Sequence, residues 1–262
     1  MPEFRSRKAL ANPELRRRGI YILPNLFTTA ALFAGFYAIV QAMTDRFEQA
    51  AVAIFIAMIL DGLDGRVARL TRTQSAFGAE YDSLSDMVSF GVAPALVMFE
   101  WAMKGMGKWG WIAAFIYCVG AALRLARFNT NIEVVDKRFF QGLPSPAAAA
   151  LIAGFVWVLM DLNYAGEEVR WYAWALTIFA GVTMVSNFHY YSGKDINLRR
   201  SVPFIAVLAI VLFFVLVSSY PPGILFALFL CYAFSGYIMA VLDWVRRRKT
   251  PACPTLALTS ES

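Results

Sequence analysis

The sequence predicts an all-α, polytopic membrane protein with about eight transmembrane helices and both termini in the cytoplasm. Of its 262 residues, 59% are apolar and only 16% are charged, and the mean hydropathy is +0.56. Typical soluble domains contain about 45–50% apolar and about 25% charged residues. A soluble or disordered chain is therefore excluded. The three cysteines are widely spaced, which indicates neither a disulfide framework nor a zinc cluster.

Long uncharged runs locate the helices along the chain. A helix that crosses the hydrocarbon core, about 30 Å thick, needs about 20 apolar residues. Four runs contain no Asp, Glu, Lys or Arg: 19–44, 139–160, 171–193 and 202–242. The Pro-Pro-Gly sequence at 221–223 divides the last run into two spans, and three shorter runs are extended by charged segments. The predicted spans are 22–43, 46–71, 78–102, 107–128, 145–162, 168–188, 202–218 and 224–245.

Basic residues predict the orientation of these spans. An even number of spans places both termini on one side, and 20 of the 24 Lys and Arg residues lie on that side. Basic loops stay cytoplasmic, so we expect a multi-pass protein of the inner (cytoplasmic) membrane. The basic segment 1–21 lies on the anionic leaflet or acts only as a topology determinant. Residues 22–245 form the membrane domain, and the cytoplasmic tail 246–262 is expected to be disordered.

Four aspartates fall within the predicted second and third spans. Asp61 and Asp64 are three residues apart, and Asp82 and Asp86 are four apart, so each pair shares one helix face. Asp61 follows 12 uncharged residues, and Asp86 precedes 13. At 1.5 Å per residue, both pairs lie about 10 Å below the cytoplasmic edge of the core. Four carboxylates are therefore expected at one depth, where each is costly.

Nothing structural requires four carboxylates to lie close together, whereas a metal site would explain their arrangement. Oxygen-only ligands favour hard divalent ions such as Mg²⁺, Mn²⁺ or Ca²⁺. Shared carboxylates can hold two ions in the arrangement that clamps an in-line phosphoryl displacement. The alternative is an ion-pair network in which three nearby arginines neutralise the acids: Arg66, Arg69 and Arg72.

The same acidic residues carry a resemblance to a known family. Their pattern matches the signature of the CDP-alcohol phosphotransferases at every position. It reads Asp61-Gly62-x-Asp64-Gly65-x-x-Ala68-Arg69, then eight residues, then Gly78-x-x-x-Asp82-x-x-x-Asp86. The resemblance implies that the four aspartates bind two divalent cations, which bridge the diphosphate of a CDP-linked lipid. It also implies that Asp86 is the general base that takes the proton of the acceptor hydroxyl.

The resemblance further implies a CDP-lipid site around the acids. The residues expected there are Asn25, Thr28, Gly62, Gly65, Arg69, Ser75 and Gly78. Arg69 is also expected to stabilise charge that develops during the reaction, so it joins Asp86 as a catalytic residue. Residues 24–28 resemble the family segment that lines the nucleotide pocket. For Asn25 and Thr28, the alternative is a simple helix start.

Two further segments resemble those of membrane-spanning family members that use serine as the acceptor. Residues 124–129 read Arg-Leu-Ala-Arg-Phe-Asn, and residues 140–146 read Phe-Gln-Gly-Leu-Pro-Ser-Pro. An arginine can bind the serine carboxylate bidentately, and an asparagine amide oxygen can accept from its ammonium group. The expected L-serine site comprises Arg124, Arg127, Asn129, Ser83, Gly142 and Pro144. For the two arginines, the alternative is anchoring at the membrane surface.

Together, these residues and the resemblance predict phosphatidyl transfer from CDP-diacylglycerol to the hydroxyl of L-serine, giving phosphatidylserine and CMP. The resemblance implies a homodimer, and the partners are membrane lipids rather than nucleic acid. An alternative within the family uses glycerol 3-phosphate, inositol or choline as acceptor. An alternative from another class is an ion or metabolite transporter, since intramembrane acids also mark ion pathways. The acidic motif has no second copy in residues 145–245, which disfavours transport.

Overall fold

Helices make up nearly all of the computed structural model, which describes residues 13–71, 75–130, 139–191 and 204–249. In chain order they are α1 (Pro13–Met43), α2 (Phe47–Thr71), α3 (Ala76–Asp86), α4 (Ala93–Met98), α5 (Lys108–Thr130), α6 (Ser145–Asp161), α7 (Arg170–Val185), α8 (Phe204–Ser219) and α9 (Pro221–Lys249). The predicted all-α fold class is confirmed.

The apolar helices identify a polytopic membrane protein. Among the described residues, four helical stretches are long and apolar enough to cross a membrane: Asn25–Met43, Ala76–Met106, Lys108–Thr130 and Pro221–Leu242. Two shorter apolar helices are Ser145–Asp161 and Val207–Ser219. Most of the described side chains of α8 are apolar and exposed, a surface that suits lipid and is unfavourable in water. The count of eight spans and the side of the termini stay predictions.

Two helices, α1 and α9, extend beyond the predicted membrane domain of residues 22–245. α1 already includes residues 13–21, which the sequence assigned to an interfacial segment, and Asn25 and Thr28 lie well inside it rather than at a helix start. α9 continues through residues 246–249, because Arg and Lys are good helix formers. The predictions for 1–12 and 250–262 lie outside the described residues.

A short pair of strands, which the sequence analysis did not predict, joins two loops. β1 (Phe139–Gln141) pairs antiparallel with β2 (His189–Tyr191). The backbone N–H of Gly142 extends the contact by donating to the Phe188 carbonyl at 2.9 Å. Strands of three residues are too short to show a period in the sequence. The pair fixes the loop before α6 against the segment after α7.

Small residues allow the helices to pack closely. α1 packs on α2, α2 on α6, and α6 on α9, while α5 packs on α7. Alanines fill the centre of this arrangement, including Ala38, Ala57, Ala148, Ala149 and Ala153, all of them fully buried. At the crossing of α5 and α7, a Cβ added to Gly120 would lie 2.5 Å from the Gly181 carbonyl oxygen. Such contacts are typical of membrane helices, whose association depends on close packing.

The third predicted span is a continuous helical stretch with two changes of hydrogen-bonding pattern. π-helical segments at Met87–Val92 and Phe99–Met103 flank α4. Pro94 cannot donate to the carbonyl of Phe90, four residues earlier, because proline has no N–H. The hydroxyl of the buried Tyr117 on α5 donates to that carbonyl at 3.0 Å. A side chain of α5 therefore supports the backbone of the first π-helical segment.

Replacing Tyr117 with Phe is expected to destabilise the protein by about 1–3 kcal/mol, because it removes a hydrogen bond to the buried Phe90 carbonyl. The apparent melting temperature of the detergent-solubilised protein measures this change. Tyr172→Phe is the matched control, since the Tyr172 side chain is 73% exposed. Equal melting temperatures for the two variants would contradict the proposed support.

Candidate active site

Three of the four predicted acidic ligands converge in space. One carboxylate oxygen from each of Asp61, Asp64 and Asp82 lies within 4.8 Å of the other two. α2 supplies two of them and α3 the third, as the similar depths of the two acidic pairs predict. Asp86 lies one turn beyond Asp82, and its carboxyl group interacts directly with that of Asp61. The structure thus brings the four acids together, and their role as ligands stays a prediction.

Hydrogen bonds between α1 and its neighbouring helices hold this cluster in place. The hydroxyl of Thr28 donates to Asp64 Oδ2 at 2.5 Å, and both side chains are buried. In return, Ser85 on α3 donates to the Thr28 carbonyl at 3.2 Å. Ser89, in the π-helical segment, donates to the Ala31 carbonyl at 3.1 Å. A hydrogen bond to one carboxylate oxygen fixes the orientation of the group and leaves the other oxygen for a ligand.

The donor set fits a hard divalent cation. Every candidate ligand atom is a carboxylate oxygen, the type that Mg²⁺ and Mn²⁺ prefer. Asp82 Oδ1 is buried and accepts no hydrogen bond from the described residues. A buried polar atom in this condition is costly in free energy, and a bound cation would remove that cost.

Arginines on α2 do not neutralise the cluster. Within the described ranges, the one ion pair joins Lys104 to Glu100, at the other end of the third span. Arg66 and Arg69 therefore form no ion pair with the acids, and Arg72 lies outside the described residues. Arg66 and Arg69 therefore do not form the Asp–Arg network that was the alternative to a metal site.

Several residues predicted to contact the CDP-lipid meet at the start of α3. Ser75 is the N-cap, and its Oγ accepts from the backbone N–H of Gly78 at 3.0 Å. Asn25 reaches the same place from α1, because its Oδ1 would lie 3.5 Å from a Cβ on Gly78. The N–H groups at the start of a helix attract anions. This end of α3 can therefore bind a phosphate or polar nucleotide group.

Open space lies beside the acids of α2. A Cβ added to Gly62 or Gly65 would have no described atom within 4 Å, apart from its own helix and chain neighbours. Packing among the described residues therefore does not explain these glycines, whereas a ligand approaching the backbone would. Arg69 lies along the same surface, where its Nε donates to the Gly65 carbonyl at 2.9 Å.

A half-buried arginine approaches the cluster from α5. Arg124 Nη1 donates to Ser145 Oγ at 2.7 Å, and Ser145 is fully buried at the start of α6. Its charge acts on Asp86, while its Nε is buried without a hydrogen-bond partner in the described part of the chain. Arg124 thus has a free donor next to the acids. Ser145 lies in the 140–146 segment but was not among the site residues predicted from the sequence.

The other residues predicted to bind serine divide into two groups. Arg127 Nη1 donates to the Val185 carbonyl and to Asn187 Oδ1, both at 3.1 Å, so Arg127 joins α5 to the end of α7. Asn129 lies nearer the acids, since its Nδ2 donates to Ser83 Oγ at 3.0 Å. This leaves the Asn129 amide oxygen to accept from a ligand. Arg124 and Arg127, although three residues apart, therefore have different partners.

The loop before α6 positions Ser145 through the backbone conformation of two predicted site residues, Gly142 and Pro144. Gly142 has a φ of +77°, which favours glycine over residues with a side chain. Pro144 precedes the first turn of α6, and its carbonyl accepts from the Ala148 N–H at 2.9 Å. Together they set the position of Ser145, the partner of Arg124.

The sequence profile of the CDP-alcohol phosphatidyltransferases matches residues 21–185, from within α1 to the end of α7, with all four aspartates included. The chain belongs to the CDP-alcohol phosphatidyltransferase family. Helices α8 and α9 lie beyond the part that matches this family.

Relatives of the chain come from distant organisms. The CDP-diacylglycerol–serine O-phosphatidyltransferase of Helicobacter pylori is 39% identical over 181 residues, which cover 68% of this chain and 75% of that protein. The protein of the same name from Methanocaldococcus jannaschii is 41% identical over 137 residues, 52% of this chain and 61% of the relative. The Saccharomyces cerevisiae protein of that name is 39% identical over 141 residues, 48% and 50% of the two chains.

Replacing Thr28 with Val is expected to weaken Mn²⁺ binding about 10- to 100-fold, the usual effect of losing a group that orients a ligand. Titration of the purified protein, with free Mn²⁺ followed by electron paramagnetic resonance, measures the affinity without any substrate. Thr28→Ser should restore it. Thr177→Val is the matched control, because Thr177 is buried in α7 and donates to its own helix. Unchanged affinity in Thr28→Val would show that Thr28 does not position Asp64.

Proposed function

We propose that this chain transfers the phosphatidyl group of CDP-diacylglycerol to the hydroxyl of L-serine, giving phosphatidylserine and CMP. The observation that carries the proposal is that the carboxylate cluster has different neighbours on its two sides. The start of α3 and the open glycines suit a nucleotide diphosphate, and the half-buried Arg124 suits an anionic acceptor. The names of the bacterial, archaeal and yeast relatives support the same donor and acceptor.

The carboxylates of Asp61, Asp64, Asp82 and Asp86 would hold the divalent cations, for which we propose two, either Mg²⁺ or Mn²⁺. Ca²⁺ has the same ligand preference and is the further candidate. When bound, such ions neutralise the diphosphate and stabilise the charge that develops on it. The contribution of α1 is to keep Asp64 in a fixed orientation through Thr28.

The reaction itself needs one proton acceptor and no enzyme nucleophile. Asp86 accepts the proton of the serine hydroxyl, and the serine oxygen forms a bond to the phosphorus on the lipid side of the diphosphate. The bond from that phosphorus to the oxygen of CMP breaks, and CMP leaves with the electron pair. Arg69, on the open surface of α2, stabilises the negative charge on the departing phosphate.

Recognition of the two substrates is assigned to opposite sides of Asp86. Asn25, Ser75 and Gly78 contact the CDP part at the start of α3. Arg124 binds the serine carboxylate, for which it has an unpaired buried donor. The amide oxygen of Asn129 accepts from the serine ammonium group, since the amide nitrogen is already used by Ser83.

We also propose that residues 22–245 form one membrane domain in the inner membrane, with the active site open to the cytoplasm. The support is the distribution of Lys and Arg, 20 of 24 on the terminal side. In this arrangement, residues 1–21 and 246–262 are cytoplasmic. The homodimer is proposed from the family resemblance alone.

A purified preparation in mixed micelles tests the function directly. With CDP-diacylglycerol and a divalent cation, CMP release should depend on serine, and labelled serine should enter the lipid fraction. Labelling from glycerol 3-phosphate, inositol or choline, but not from serine, would replace the proposed acceptor. Solute flux in liposomes without CMP release would favour a transporter instead.

Replacing Asp86 with Asn is expected to lower kcat at least about 100-fold, because general-base catalysis contributes about 10²- to 10⁴-fold. The initial rate of CMP release measures kcat. Asp161→Asn is the control, since Asp161 is exposed at the end of α6, away from the cluster. A variant at Asp86 that keeps more than a tenth of the activity would exclude it as the base.

Replacing Ser145 with Ala is expected to raise the KM for serine about tenfold, the effect of one hydrogen bond to a charged group. Because Ser145 acts through Arg124, kcat and the KM for CDP-diacylglycerol should change little. Ser219→Ala is the control, since Ser219 is exposed and donates to its own helix. A fall in kcat at unchanged serine KM would exclude this positioning role.

A further inference from the structure

An apolar groove lies between α1 and α2, directly below the candidate active site. It has a volume of about 580 Å³, and its walls include Phe33, Ala34 and Tyr37 from α1 and Val52, Ile56 and Leu60 from α2. Leu60 immediately precedes Asp61, so the groove starts at the level of the carboxylate cluster. On the α1 side it reaches Ala30, two residues after Thr28, which binds Asp64.

The groove has the length and polarity of a lipid-chain site. From Leu60 to Gln49 it follows α2 for about 16 Å, through the interior of the roughly 30 Å core. Its charged and amide side chains, Glu48 and Gln49, line only the end away from Asp61. A chain that enters beside the acids therefore meets mainly apolar walls along the groove.

The groove is open along its outer side. Phe33 is 68% exposed and Ile56 is 46% exposed, so these side chains form raised walls. Ala34 and Ala53 are buried and form the floor. Large walls beside a floor of small residues produce a concave apolar site, the usual form of a site for a small molecule. The opening faces the lipid, so a chain can enter sideways.

We propose that this groove binds one acyl chain of the CDP-linked lipid and thereby positions the phosphorus that reacts. The inference rests on the proposed function, which places the diphosphate at the carboxylate cluster. A chain attached to that phosphate must continue toward the membrane interior, and the groove begins there and runs in that direction. Bulk lipid accommodates the chain equally well, so the groove contributes orientation of the reacting group more than affinity.

A variant that narrows the groove far from the acids tests this inference. Val52 lies eight residues before Leu60, about 12 Å along α2. Val52→Phe should therefore lower kcat/KM about tenfold for dipalmitoyl CDP-diacylglycerol, whereas dihexanoyl CDP-diacylglycerol, whose chains are too short to reach Val52, should react as before. Val182→Phe is the matched control, since Val182 is 56% exposed on α7. The ratio of kcat/KM for the dipalmitoyl donor to kcat/KM for the dihexanoyl donor should therefore fall in Val52→Phe but not in Val182→Phe. Equal ratios in the two variants would overturn the inference.

The same experiment separates this inference from the proposed function. If the unaltered protein releases CMP from neither donor in the presence of serine, the proposed function fails. If the unaltered protein uses both donors and Val52→Phe leaves their ratio unchanged, only the groove inference fails.

A second measurement on the unaltered full chain does not depend on the folding of a variant. CDP-diacylglycerol with a diazirine at the end of one palmitoyl chain is irradiated with the protein in nanodiscs, and the labelled peptides are identified by mass spectrometry. Labelling should be concentrated on residues 33–37 and 49–56, at least several-fold above α8. Equal labelling of α8, or a groove that is unlabelled because a second copy covers it, would contradict the proposal.

Discussion

The structure depends on holding four carboxylates together within apolar helices. Each acid repels the others, so the helices that carry them must be fixed from outside the cluster. α1 does this with contacts at two levels. Thr28 binds Asp64, and Ser85 returns a hydrogen bond to the Thr28 carbonyl. Deeper in the membrane, a Cβ on Gly35 would lie 2.7 Å from the Cα of Ser89, so the two backbones are nearly in contact. The distance between α2 and α3 is thereby set by α1.

The same constraint accounts for the irregular third span. A π-helical turn contains more residues than an α-helical turn and changes the face that later side chains occupy. The first such segment starts immediately after Asp86. Before it, Asp82 and Asp86 face α2, and after it the chain must pack in the apolar core with Pro94. Tyr117 satisfies the carbonyl that the proline leaves without its usual donor. The first π-helical segment thus separates the part of the span that carries Asp82 and Asp86 from the part that packs in the apolar core.

Features that depend on local sequence were predictable, and those that depend on distant contacts were not. Hydropathy located the helices, and the spacing of the four aspartates was enough to predict their convergence. Thr28 was expected beside the nucleotide, whereas the structure places its hydroxyl on Asp64, 36 residues away. The partner of Arg124 is Ser145, 21 residues away across a loop. Neither pairing leaves a period or motif in the sequence, because each depends on how two helices cross. The π-helical segments were missed as well, and so was the β-strand pair, whose three-residue strands are too short to show a period in the sequence.

Charge explains why the two sides of the cluster differ. Four ionised carboxylates and one half-buried guanidinium would leave the site strongly negative, so an anion cannot approach unless cations or arginine compensate. On the side of α1 and α2, Gly62 and Gly65 leave room for a group whose own charge is neutralised by bound metal, and Arg69 lies along the same surface. On the side of α5 and α6, Arg124 is the compensating charge, and Ser145 limits its orientation.

A zwitterionic acceptor with one carboxylate needs one such cation. An acceptor with a phosphate carries more negative charge and would need further cations near Arg124. Arg124, which Ser145 holds in position, therefore suits an acceptor with a single carboxylate.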